Sequence, residues 1–128
     1  MKLLLDTHIA LWAAAGSPKL PDAARSLMAD PHNEVWVSTI VPWEVTIKHS
    51  IGKLGISGWQ ALQAFRDAGY QILDVKEHHV SALHSLELDQ DHKDPFDRML
   101  VAQATHEGMI LLTADTKMAR YAPVTHVL

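Results

Sequence analysis

The 128-residue sequence contains no cysteine. That absence excludes a disulfide framework, a Cys-ligated zinc site, an iron–sulfur cluster and thiol catalysis. Glycine and proline number six each and gather into no linker or low-complexity tract, which predicts one compact domain over residues 1–128. No run approaches the roughly 18 apolar residues of a membrane span. The short apolar start, Leu3-Leu4-Leu5, is cut by Asp6 and fits no signal peptide, so a cytoplasmic protein without a membrane contact is expected. A basic excess is missing too, with 11 Lys and Arg against 15 Asp and Glu, a formal net charge of −4. Composition alone therefore points away from a bulk electrostatic nucleic-acid binder. The 48% hydrophobic content excludes wholesale disorder.

What is present alternates. Apolar runs at Lys2–Leu5, Glu34–Ser38, Gln71–Val75 and Met109–Thr113, with a weaker one at Thr125–Leu128, read as strands. Their continuous apolar character is what parallel strands covered on both faces require. Between them, helical patterns are predicted over Ile9–Ala15, Pro21–Ala29, Val41–Lys53, Trp59–Asp67, His79–Leu86 and Pro95–His106. This order predicts an α/β fold: a three-layer α/β/α sandwich around a central, mainly parallel sheet of four to five strands.

In open α/β sheets ligands bind outside the carboxyl ends of the strands. Asp6 follows the first strand and Asp115 the fourth, while Glu44 and Asp97 fall about one turn into helices. If the strands pair as the alternation implies, these four acids converge on one sheet edge. Each has a bland role available. Asp94 before Pro95 is a good helix cap with Asp97 three residues on, Asp115 can cap a short helix Thr116–Arg120, and Glu44 suits a helix start. As a set, however, they would repel one another unless a cation intervened. Hard oxygen ligands favour Mg²⁺ or Mn²⁺, which can activate water and stabilise a leaving oxygen in phosphodiester hydrolysis.

The segment Leu4-Leu5-Asp6-Thr7-His8-Ile9-Ala10-Leu11-Trp12 resembles the opening of PIN-domain nucleases, and among them the VapC-type ribonuclease toxins of type II toxin–antitoxin modules. Pro42-Trp43-Glu44-Val45 resembles the second acidic motif of that family. The run from Asp94 to Ala104 is similar to the third, and Leu111-Leu112-Thr113-Ala114-Asp115 to the fourth. Order and distances agree from first strand to last. The resemblance implies a PIN-like fold, endoribonuclease activity with Mg²⁺ or Mn²⁺, an RNA substrate, and inhibition by a cognate antitoxin. It implies a homodimer or a toxin–antitoxin hetero-oligomer. Carried over residue by residue, Asp6 and Asp97 become the principal metal ligands, Glu44 completes the cluster, and Asp115 binds a second ion or orients water. Asp94 matches the motif and is equally a helix cap. Ala114 stands where the family often has a larger polar or basic residue.

Thr7, His92, Lys93, Arg98 and Thr113 are candidate substrate contacts. Arg98 could instead pair with Asp94 four residues earlier. Nine His are present, with His8, His92 and His106 expected near the acids, and none is paired at zinc-binding helical spacing. Trp36 and Trp43 read as core. The loop-bounded region Ile47–Phe65 is a candidate antitoxin groove. Two alternatives remain: a phospho-receiver signalling domain with Asp74 as the mid-chain acceptor, and a catalytically inactive PIN-like binding module.

Overall fold

A computed structural model describes residues 1–86 and 94–128. In chain order the elements are β1 (Lys2–Leu5), α1 (Thr7–Ala15), α2 (Asp22–Ala29), β2 (Glu34–Ser38), α3 (Ile40–Ser50), α4 (Gly58–Asp67), β3 (Gln71–Leu73), α5 (Glu77–Ala82), α6 (Pro95–Glu107), β4 (Ile110–Thr113) and β5 (Thr125–Val127). Short 3₁₀ turns cover Leu83–Ser85 and Thr116–Tyr121.

The five strands form one all-parallel sheet in the order β3-β2-β1-β4-β5. Leu4 pairs with Trp36 on one side of β1, and Leu5 with Leu112 on the other. Leu3, Leu4 and Leu5 are all fully buried, as are Leu111 and Leu112. Adjacent residues of one strand point to opposite faces, so both faces of the central strands are covered. Connections between parallel strands are right-handed, which places α1 to α4 on one face and α5 and α6, returning from β3 to β4, on the other. The contacts place α1 and α3 on α4 and α5 on α6, while α3 also reaches α6 across the carboxyl edge of the sheet. Phe65 of α4, Leu100 of α6 and Ile9 of α1 are fully buried in the core.

The order of strands reverses between β1 and β4. From β1 the chain steps outward to β2 and β3, whereas β4 leads the other way to β5. Such a switch point leaves a crevice at the carboxyl edge, between connections that diverge to opposite faces.

Helix boundaries differ from expectation where caps decide them. α1 starts at Thr7 because Asp6 is its N-cap, its side chain accepting the Thr7 N–H. α3 stops at Ser50, ahead of the turn at Gly52, whose φ of 77° suits glycine alone. α5 starts at Glu77 because His79 caps the helix through the Lys76 N–H, and it breaks into a 3₁₀ turn after Ala82. β3 ends at Leu73. The chain leaves the sheet there, and the Val75 N–H turns to Thr39 Oγ1 at 3.3 Å. Among the described residues no helix is long and apolar enough to cross a membrane.

Candidate active site

Two threonines build the frame at the switch point. Thr7 is 3% exposed and binds two acids at once. Its N–H donates to Asp6 Oδ1 at 2.6 Å and its hydroxyl to Glu44 Oε1 at 2.8 Å. Thr113, the last residue of β4, is fully buried. Its hydroxyl donates to Asp6 Oδ2 at 2.6 Å and accepts the Asp115 N–H at 3.0 Å. Both oxygens of Asp6 are thereby oriented, and β1, β4 and α3 are tied together through side chains. Thr7 and Thr113, expected as substrate contacts, spend their hydroxyl protons on carboxylates beneath the surface.

The acids converge as predicted from the strand ends. Burial pushes the Asp97 carboxyl up to about 7, assisted by the negative charges of Asp6, Asp94, Glu44 and Asp115. Five carboxylates therefore share one electrostatic neighbourhood. Asp6 is likewise raised, first by burial, with the Thr113 and Thr7 hydrogen bonds opposing. Asp94 is the N-cap of α6, accepting the N–H groups of Phe96 at 2.8 Å and Asp97 at 3.2 Å. Asp115 caps the Thr116–Tyr121 turn through the Lys117 N–H. Capping and clustering are compatible here, since a cap fixes the carboxylate at the helix start that faces the crevice.

Lys48 is the residue that the sequence reading passed over. Its Nζ lies 2.6 Å from Glu44 Oε2, one helical turn along α3. The hydrogen bond to Glu44 raises its pKa, as do the charges of Glu44, Asp94 and Asp97. The i, i+4 spacing from Glu44 was the available signal.

Other expected positions fall elsewhere. Arg98 follows Asp97 on α6 and forms no ion pair with Asp94. His92 and Lys93 lie outside the described residues. His8 is exposed beside Asp6 and its ring leans on Trp12, 5.7 Å away. His106 is not at the acids. It lies nine residues past Asp97 on α6, about 13 Å along the axis, stacked on His78 at 4.2 Å. There Glu107 Oε1 is 3.6 Å from His79 Nε2 and 3.9 Å from His78 Nε2. This group has near-metal spacing, but the buried His79 ring accepts the Lys76 N–H on Nδ1, so its proton sits on Nε2, facing Glu107. That proton occupies the atom a metal would need; Nε2 itself has no hydrogen-bond partner among the described residues, and it is the packed rings of His78, His79 and His106 that join α5 to α6.

Trp43 is 58% exposed, not core, and meets Phe96 edge-on at 5.4 Å. α3 buries Val41, Glu44 and Val45, which turns position 43 outward. Trp36 is half-buried, with Lys2 Nζ 5.9 Å from its ring centre. The Ile47–Phe65 region does border an apolar groove. It runs between α1 and α4, about 260 Å³ in volume, with Leu11, Ala15, Ile56, Ala61, Ala64 and Phe65 among its walls. Asp74 follows β3, an edge strand separated from β1 by β2, so the acceptor position of a receiver domain is remote from Asp6.

Fold and site together define an all-parallel α/β protein with an acidic centre at its topological switch point. The chain belongs to the PIN domain family, whose profile matches residues 3–123. This sets aside the receiver reading. Comparison with curated proteins gives no match. Among solved structures the fold is similar to that in VapBC2 from Rickettsia felis bound to a promoter DNA fragment, with a TM-score of 0.70 at 23% identity, covering 100% of this chain and 98% of that one. It is similar also to DNA-bound VapBC from Salmonella typhimurium, with a TM-score of 0.67 at 15% identity, covering 100% and 97%. For VapBC-1 from nontypeable Haemophilus influenzae the values are 0.65, 19%, 100% and 97%.

Proposed function

We propose that the protein is a Mg²⁺- or Mn²⁺-dependent endoribonuclease and the toxin of a toxin–antitoxin pair, acting as one nuclease domain over residues 1–128 in the cytoplasm. The observation that carries the reading is the convergence of Asp6, Glu44, Asp94, Asp97 and Asp115 at one sheet edge, with Asp6 and Glu44 fixed by Thr7 and Thr113. Carboxylates in such number, with no thiol in the chain and, among the described residues, exposed His8 as the imidazole beside them, form a donor set for a hard divalent cation. Asp6 and Asp97 would be the principal ligands, with Glu44 and Asp115 completing the centre. A bound ion would supply the charge that lets a phosphodiester approach, and would lower the pKa of a coordinated water.

The residues supply the rest. Thr7 and Thr113 hold Asp6 in one orientation, so little reorganisation is needed when substrate arrives. Asp115 is exposed at the rim and can orient water. In the hydrolysis, a water oxygen bonds to phosphorus and the bond from phosphorus to the departing ribose oxygen breaks. One water proton ends on that oxygen and the other passes to solvent. The antitoxin reading rests on the apolar groove between α1 and α4, on exposed Trp59 nearby, and on the VapBC complexes whose fold this chain shares. In that reading the protein is a homodimer or part of a toxin–antitoxin hetero-oligomer.

The test is expression in a bacterial host with and without the adjacent reading frame, sequencing RNA ends. New 5′ ends should appear in arrested cells and vanish with Asp6→Asn or Asp97→Asn. Cleavage that survives both substitutions would overturn the site. No arrest and no new ends would favour the inactive PIN-like binding module.

A further inference from the structure

The acidic centre carries its own cation. Glu44 is 7% exposed, and each of its oxygens is engaged, Oε1 by the Thr7 hydroxyl and Oε2 by Lys48 Nζ. A surface pair at i, i+4 on a helix contributes little to stability and needs no role. This pair differs in two respects. Its acid is buried and fixed from the other side by a residue of α1, and its ammonium also feels Asp94 and Asp97, from α6. Lys48 therefore faces into the crevice between α3 and α6. The side-chain exposures are 36% for Lys48 and 9% for Glu44, so the lysine is the outer member of the pair.

An incoming polynucleotide meets several carboxylates at this edge, and every phosphate is repelled by them. An ammonium donates three hydrogen bonds, of which Glu44 takes one. We propose that Lys48 is a substrate-binding residue, held by Glu44 and Thr7 at the rim of the acidic centre to contact a non-bridging phosphate oxygen next to the scissile bond. This deepens the nuclease reading and rests on it. Glu44 then positions Lys48 as well as completing the acidic centre. A second consequence follows from charge alone. Lys48 partly offsets the carboxylates, so removing it should tighten binding of a small divalent cation while weakening cleavage of RNA. A merely structural helix pair would leave RNA cleavage by the folded variant unchanged.

The experiment compares the wild-type chain with Lys48→Met, Lys48→Arg and Asp97→Asn. Mn²⁺ binding is titrated by electron paramagnetic resonance, and cleavage is measured on a random-sequence pool of single-stranded ribo-oligonucleotides with Mn²⁺. Lys48→Met should bind Mn²⁺ several-fold more tightly and cleave at least roughly tenfold more slowly, the loss expected for one charge-assisted hydrogen bond. Lys48→Arg should keep the wild-type Mn²⁺ affinity and most of the rate. Should Lys48→Met not fold, Lys48→Gln takes its place with the same two readouts. Wild-type cleavage or unchanged Mn²⁺ affinity in the neutral variant overturns the proposal while leaving the nuclease reading intact. A wild-type chain that neither binds Mn²⁺ through Asp97 nor cleaves the pool overturns both.

Discussion

Replacing Asp97 by Asn should stabilise the metal-free protein, and only at pH values where the aspartate is forced to ionise. Its carboxyl is pushed up to about 7 by burial and by four neighbouring carboxylates, whereas an unfolded chain releases that proton near 3.8. Between those values the folded state holds a proton that the unfolded state does not. Stability from this group therefore falls as pH rises through that window, and the full cost is present above about 7. The displacement corresponds to about 4 kcal/mol at roughly 1.36 kcal/mol per pH unit. Solvent screening at a half-open site reduces this to ~1–2 kcal/mol. On a chain of this size that is ~4–8 °C in Tm. The assay is thermal unfolding by circular dichroism in a chelating buffer, at pH about 4.5 and about 8, the window set by the shift. The Asn variant should melt above wild type at the higher pH and close to it at the lower. Added Mn²⁺ should raise the wild-type Tm at the higher pH more than that of the variant. A gap that does not change with pH, or an Asn variant less stable at the higher pH, would refute the electrostatic argument.

Two further substitutions probe the frame. Thr113→Val removes the hydroxyl that serves both Asp6 and the Asp115 N–H in a fully buried place. It should cost about 1–3 kcal/mol in urea unfolding and weaken Mn²⁺ binding measured by titration calorimetry. Gly58→Ala sets a methyl group against the Thr46 side chain and the Pro42 carbonyl, where α4 begins against α3. The expected cost is about 1–3 kcal/mol of overpacking in the same unfolding assay. Cleavage should persist at temperatures where the variant remains folded.

Asp6 and Asp115 were legible because a carboxylate at the end of an apolar strand has nowhere to go but the sheet edge. The caps at Asp94 and Asp115 were legible for a similar reason, since an acid beside a helix start has a local partner in its own backbone. Trp43 was misjudged because a large aromatic in an apolar helix carries no label for its face. Only the burial of Val41, Glu44 and Val45 turns it outward. Lys48 was overlooked because its significance depends on α6, which lies some fifty residues further along the chain. The net charge of −4 hides its own distribution for the same reason. Leaving out Asp6, Glu44, Asp97 and Asp115 brings the formal charge to zero, so the acidity is largely a local property of one edge.

The sequence by itself determined the alternation of strands and helices, the parallel character of the sheet, and the acids waiting at strand and helix ends, because periodicity and capping are local. Strand order was decided by tertiary structure alone. It set β1 beside β4 and so placed Asp6 against Thr113, residues 107 positions apart. No local pattern encodes that neighbourhood, and the same packing turned two threonines from candidate substrate contacts into the scaffold that orients the carboxylates.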